Sequence, residues 1–125
     1  MSQRSAAVLI LLVAAAGGGC NKATDPTPAP VPGFTITITS AGVSPKTLEV
    51  PLGSRVLFVN NDNRAHNMGS DPHPDHNDCP PLNQVGILQP GQRRETGNLV
   101  VLRTCGYHDH DLPNLTGLWG TITTK

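Results

Sequence analysis

Proline and glycine interrupt this sequence too often for a helical bundle. The chain of 125 residues contains twelve prolines and thirteen glycines, spread over most of its length. Proline removes a backbone donor and glycine costs conformational entropy, so both tend to end regular elements after a few residues. We therefore exclude a helical bundle and expect short strands joined by many turns.

Alternation of apolar and polar residues places the strands. The segment 34–39 reads Phe-Thr-Ile-Thr-Ile-Thr, which puts its three large side chains on one face. Further strands are predicted over 47–50, 56–59, 99–102 and 118–123, with a long proline-rich loop over 69–83. These intervals predict an all-β fold, a Greek-key β-sandwich of about seven strands that forms one domain over 34–125.

The first nineteen residues are predicted to be a signal peptide. Arg4 precedes an apolar run over 6–16, and three glycines then precede Cys20. A run of this length is typical of a signal peptide rather than of a membrane span. The segment resembles a bacterial lipoprotein signal, although that family usually has leucine where this chain has Gly17. The resemblance implies that Cys20 is lipidated. The alternative is an ordinary cleaved signal that ends near a cysteine.

Residues 20–33 would join this anchor to the domain. Four prolines alternate with small residues between positions 26 and 32, a composition typical of an extended, semi-rigid tether. We therefore expect the protein to be lipid-anchored to a membrane of the cell envelope and to face the periplasm or the exterior.

The residues that can bind metal lie close together in the sequence. Nine basic residues balance nine acidic ones, so nothing favours nucleic acid as a partner. All five histidines lie within 66–110, and so do two of the three cysteines: His66, His73, His76, Cys79, Cys105, His108 and His110. Loops of a sandwich can meet at one end, so this clustering predicts a metal site. Taken alone, His73 and His76 are equally compatible with a solvated loop.

Two segments resemble the cupredoxins, the plastocyanin-like blue copper proteins. The stretch from 43 through Asn60-Asn61-Asp62 to His66 is similar to the N-terminal half of that family, where the histidine is the first copper ligand. The segment Cys105-Gly106-Tyr107-His108 matches the family's Cys-x-x-His spacing, and Gly-Thr-Ile at 120–122 matches the opening of its last strand. The resemblance covers nearly all of 34–124.

This resemblance implies copper as the cofactor. It implies His66 and His108 as imidazole ligands and Cys105 as the thiolate. The sequence departs from the family in two places. Leu118 occupies the position of the usual axial methionine, and the interval after His108 is longer and contains His110.

Counting cysteines leaves a second interpretation open. If Cys20 is lipidated, Cys79 and Cys105 remain as a pair in an oxidising compartment, where a disulfide is the default. The site would then consist of nitrogen ligands from His66, His108 and His110, with His76 from the long loop. Such a ligand set suits Cu(II).

The predicted function is binding of copper for electron transfer or copper handling, with a redox or copper-handover protein as partner. We do not expect an enzyme, since the sequence has no nucleophile–base arrangement and no phosphate loop. The alternatives are a copper enzyme with an open all-histidine site and a structural domain that has lost its metal.

Overall fold

The computed structural model of the chain describes residues 33–125. The predicted signal peptide, Cys20 and nearly all of the tether lie outside these residues. Nine strands and two short 3-10 helices form the described part. The strands are β1 Phe34–Thr39, β2 Gly42–Ser44, β3 Thr47–Val50, β4 Val56–Asn60, β5 His66–Ser70, β6 Gly86–Leu88, β7 Arg93–Glu95, β8 Thr104–Asp109 and β9 Gly120–Thr124, and the helices are Pro80–Gln84 and Thr116–Leu118.

The strands pack as two sheets. One has the order β2-β1-β4-β7 and the other β3-β9-β8-β5-β6. β1 and β4 pair in parallel, as do β3 and β9, which requires the chain to cross between the sheets. The predicted all-β sandwich is confirmed, with two more strands than expected.

Alternation of side chains along the strands builds the core between the sheets. Ile36 and Ile38 of β1 and Phe58 of β4 are completely buried, because every second residue of a strand points to the same face. The Phe58 ring packs edge to face on Tyr107 of the other sheet, with ring centroids 5.2 Å apart and an angle of 85° between the planes. Burial of the Tyr107 hydroxyl raises its pKa above the ordinary value.

The prediction of a strand over 99–102 is wrong. Only Leu99 reaches the core, while Val100, Val101 and Leu102 are more than half exposed. This segment crosses from the first sheet to the second, and the Leu99 N–H donates to the carbonyl of Ser54 at 2.9 Å instead of to a neighbouring strand. A run of apolar residues without alternation does not distinguish a strand from such a crossing.

The sandwich has two distinct ends. β1 and β4 begin, and β3 and β9 end, at what we call the N-terminal pole, which contains Gly33 and Lys125. β1, β4 and β8 end, and β5 begins, at the opposite end, which we call the distal pole. No helix of the described residues is long and apolar enough to cross a membrane.

Candidate metal centre

The pairing of β5 with β8 separates the histidines between the two faces of the five-stranded sheet. Met68 pairs with Asp109, and Gly69 pairs with His108. Because side chains alternate, His66, Met68 and Asp109 face the core, whereas His108 faces outward. Register therefore decides which histidines can meet.

Two glycines leave room for a loop on the outer face. A Cβ atom at Gly69 would lie 2.6 Å from Nδ1 of His76, and one at Gly106 would collide with the carboxylate of Asp71. Any larger residue at these positions would push away the loop 71–78 that carries His73 and His76. The loop can thus lie flat against β5 and β8, next to His108.

Hydrogen bonds hold this loop in one conformation. The His76 N–H donates to the carbonyl of Pro72 at 2.8 Å, and the Asp78 N–H donates to that of Asp71 at 3.0 Å. Arg103 forms an ion pair with Asp78 at 2.9 Å. His76 itself has a left-handed backbone with φ of 51°, a conformation that costs a non-glycine residue free energy and that is common at functional sites.

Four imidazoles meet on this face. Ligand nitrogens of His73, His76 and His110 all lie within 4.8 Å of one another, and Nε2 of His76 lies 2.5 Å from Nδ1 of His110. The His108 ring stacks on His76 with centroids 4.9 Å apart, and its centroid is 5.5 Å from that of His73. Two nitrogens bound to one ion at about 2.0–2.1 Å are at most about 4.2 Å apart, so small side-chain movements would bring them together.

Hydrogen bonds on the far side of two rings determine which nitrogen faces the cluster. Nδ1 of His76 donates to the carbonyl of Ser70 at 2.6 Å, and Nδ1 of His108 donates to the carboxylate of Asp71 at 2.6 Å. In each ring Nε2 is then the atom whose lone pair faces the cluster, where that of His76 accepts from Nδ1 of His110. This arrangement is the one that orients metal-binding histidines.

His108 Nε2 is a buried nitrogen without a protein partner. Within residues 33–125, only this atom and the Tyr107 hydroxyl are buried side-chain polar atoms with no hydrogen bond. A buried polar group normally has a partner, and a metal ion would serve as one here. The donor set therefore fits a metal that accepts imidazole nitrogen.

The surroundings of His73 also suit metal binding. Desolvation, and then the charges of His110, His108 and His76, lower the pKa of His73 below its ordinary value of 6.5. The neutral imidazole, which is the form that binds metal, is thereby favoured.

His66 lies apart from this cluster, contrary to the expectation that it shares an ion with His108. Its side chain is fully buried, with Nδ1 2.8 Å from a carboxylate oxygen of Asp109 and Nε2 3.0 Å from one of Asp62. Both ring nitrogens are thus occupied, and the ring lies on the inner face of the sheet. The bond from His66, followed by that from the Asn63 N–H, lowers the pKa of Asp62.

Cys105 is also removed from the cluster. It faces the core and is joined to Cys79 in a disulfide with Cα atoms 5.7 Å apart. A disulfide sulfur is not a thiolate, so the expectation of a Cys105 ligand is corrected. Of the two alternatives left open by the sequence, the structure contains the disulfide and the nitrogen-only cluster.

The cluster differs from the predicted nitrogen-only ligand set by one gain and one loss, and from the thiolate interpretation also by the loss of Cys105. It brings together His76, His108 and His110 as expected, loses His66 and adds His73. The sequence feature that could have identified His73 is its spacing of three residues from His76 in a proline-rich loop. The same spacing also fits two solvated side chains. Asp71, the partner of His108, gave no signal, since a loop aspartate is common.

Comparison with known proteins identifies the fold. No protein-family model matches the sequence, and no curated protein is significantly similar to it. A purple cupredoxin from Nitrosopumilus maritimus superposes with a TM-score of 0.54 at 19% identity, over 74% of this chain and 99% of that one. Plastocyanin from Dryopteris crassirhizoma superposes with a TM-score of 0.56 at 16% identity, over 73% of this chain and 99% of that one.

A larger protein contains the same fold. The copper-containing nitrite reductase from Thermus scotoductus superposes with a TM-score of 0.56 at 21% identity, over 74% of this chain and only 22% of that one. The resemblance to cupredoxins seen in the sequence is thus confirmed for the architecture. The described domain of this protein is a β-sandwich of the cupredoxin fold.

Proposed function

We propose that the protein binds copper on the outer face of its five-stranded sheet, through His73, His76, His108 and His110. Two observations carry this proposal: the ligand nitrogens of His73, His76 and His110 lie within 4.8 Å of one another, and the buried Nε2 of His108, whose ring stacks on His76, has no protein partner. Copper has a high affinity for imidazole, and a nitrogen-only set suits Cu(II). The cupredoxin fold of the domain supports copper over zinc, as proteins named for copper share it.

The exposure of the ligands favours copper handling over rapid electron transfer. His73 is exposed and His76 and His110 are half-buried, while His108 is buried. Accessible imidazoles let a partner protein remove the ion in steps, whereas the buried ligand retains it until the last step. We therefore propose copper storage or handover to a protein partner, with electron transfer as the second role that bound copper would permit.

Copper titration of single variants tests the ligand set. His108→Ala and His76→Ala should each lower copper affinity by about 10- to 100-fold or more, because each removes one of four bonds. His66→Gln is the control, since His66 lies on the other face of the sheet and should leave the affinity unchanged. Competition with a chelator measures affinity, and circular dichroism checks the fold. Loss of binding in a folded His66→Gln variant would contradict the proposal.

The carboxylate behind His108 gives a second test. Asp71→Ala removes the acceptor that orients the ring, and copper affinity should fall by about 10- to 100-fold. Asp75→Ala removes an exposed carboxylate of the same loop and should have no effect. Equal affinities of the two variants would contradict a role for Asp71 in positioning His108.

We further propose that the protein is anchored in the cell envelope through a lipid on Cys20, which holds the copper site outside the cytoplasm. The support is the resemblance of the N-terminus to lipoprotein signals. Cys20→Ser should move the protein from the membrane fraction to the soluble fraction, because the lipid would be the attachment that remains after cleavage. Unchanged membrane association would refute the anchor while leaving the copper site untouched.

A groove beside the cluster favours a copper enzyme as the second candidate. It has a volume of about 560 Å³, and its lining includes His73, His108, Lys46 and Trp119. A substrate in this groove would lie next to the metal, and this size is typical of small-molecule sites. Turnover of a small oxidisable substrate by the copper-loaded protein, lost in His108→Ala, would support this role.

A further inference from the structure

Four exposed aliphatic side chains lie together at the N-terminal pole. Val100, Val101 and Leu102 are 64%, 55% and 66% exposed, and Leu52 is 49% exposed. The Leu52 N–H donates to the carbonyl of Lys125, and Thr124 donates to that of Val101, so both segments flank the end of β9. We call these four residues the apolar rim. Because Val100, Val101 and Leu102 are mostly exposed, their side chains contribute little to the packing of the core.

The chain enters the domain at this same pole. Gly33 borders Ser54 and Arg55, and the Gly53 N–H donates to the carbonyl of Leu99 at 2.8 Å, directly before the rim. Residues 1–32 therefore join the domain beside the apolar rim and not at the distal pole. Gly33 lies thirteen positions after Cys20, and at about 3.1 Å per residue an extended proline-rich segment of this length would span about 40 Å.

The metal cluster lies away from the rim. β8 runs from the N-terminal pole toward the distal pole, and His108 lies six positions after Leu102. At about 3.3 Å per residue these positions span about 20 Å. A surface that covered the rim would thus leave the histidines exposed on the outer face.

We propose that the apolar rim rests on a lipid bilayer, which would hold the histidine cluster at the side of the domain, about 20 Å above the membrane surface. Two independent features point to lipid: the rim is aliphatic, and the chain that leads to the proposed lipid anchor enters next to it. A tether this short keeps the rim at an effective concentration in the millimolar range at the membrane surface. Shallow insertion of a few aliphatic side chains is then enough to orient the domain.

This inference uses the proposed anchor but does not need copper. To separate the two, the purified protein is coupled through the Cys20 thiol to a maleimide lipid in phosphatidylcholine–phosphatidylglycerol vesicles, so that attachment does not depend on lipidation in the cell. The probe is tryptophan fluorescence quenched by brominated lipid. Trp119 is the only tryptophan of the chain and lies five residues before the end of β9, about 17 Å from the N-terminal pole.

The comparison is between Trp119 in the wild type and a tryptophan in the rim, introduced as Val101→Trp with Trp119→Phe. Brominated lipid should quench the rim tryptophan about twofold more than Trp119, since interfacial side chains insert about 5–10 Å. If thermal unfolding shows that the Val101→Trp variant does not fold, Leu102→Trp with Trp119→Phe takes its place. Equal quenching in the two proteins would overturn the proposal.

A second copy of the chain is the competing occupant of the rim. If the rim joins two copies, the protein without vesicles has the mass of a dimer, and the rim tryptophan is not quenched by brominated lipid. That result would also overturn the proposal. The quenching and the molecular mass do not depend on copper. A protein that fails to bind copper would therefore contradict the proposed function and leave the test of the rim unaffected.

Discussion

The disulfide gives the sharpest quantitative prediction. Cys79 and Cys105 are separated by 26 residues, and a cross-link that closes a loop of this length lowers the entropy of the unfolded chain. The entropic treatment gives a stabilisation of about 3.5 kcal/mol at 25 °C. Both cysteines are buried, so alanine is the better replacement because a serine would also bury a hydroxyl group.

The perturbation is the double variant Cys79→Ala with Cys105→Ala, compared with the wild type by urea unfolding of metal-free protein. With an m value of about 1–2 kcal/mol/M for a small domain, the urea midpoint should fall by about 1.8–3.5 M. Copper binding should largely survive, because neither sulfur belongs to the histidine cluster. The Cys20→Ser variant, which retains only Cys79 and Cys105, should have no reactive thiol when it is unfolded without reductant.

Two results would refute this reasoning. Coincident unfolding curves of the variant and the wild type would mean that no cross-link restricts the unfolded chain. An intense visible band in the copper-loaded wild type, lost in the double variant, would mean that Cys105 is a thiolate ligand of the metal and that the nitrogen-only cluster is not the copper site.

Two further predictions concern residues outside the ligand set. Gly69→Ala should lower copper affinity by about 10- to 100-fold, because its Cβ would lie 2.6 Å from the His76 ring. Gly117→Ala meets only ordinary contacts and should bind copper as the wild type does in the same chelator competition. Asp62→Asn should lower the melting temperature at neutral pH, since the hydrogen bond from His66 depresses the pKa of Asp62 in the folded state. The stabilisation is present above the ordinary pKa of 3.8 and is lost as the pH falls through the lower folded value, so the difference in melting temperature should shrink below about pH 4. A difference in melting temperature between the wild type and Asp62→Asn that stays constant from pH 7 to 2 would refute this prediction.

The sequence determined the class of fold because that class depends on local pattern. Alternation over 34–39 predicts a strand with one apolar face, and the frequent prolines disfavour long helices. Such strands bury their apolar face against a second layer, which favours a sandwich when that layer is also a sheet. It also predicted that histidines from the segment 66–110 form a metal site, and that Cys79 and Cys105 either pair with each other or leave Cys105 free for metal. These conclusions do not require the register of any strand.

The tertiary structure decided which of these residues form a site. His66 and His108 both lie in strands that pair within one sheet, and a shift of one residue in register would place them on the same face. The observed pairing of Gly69 with His108 puts His66 in the core and His108 outside. Gly69 and Gly106 then admit the loop with His73 and His76 onto that outer face. Register and the close approach of a loop are set by long-range packing, which is why no local pattern in the sequence specified this set of four histidines.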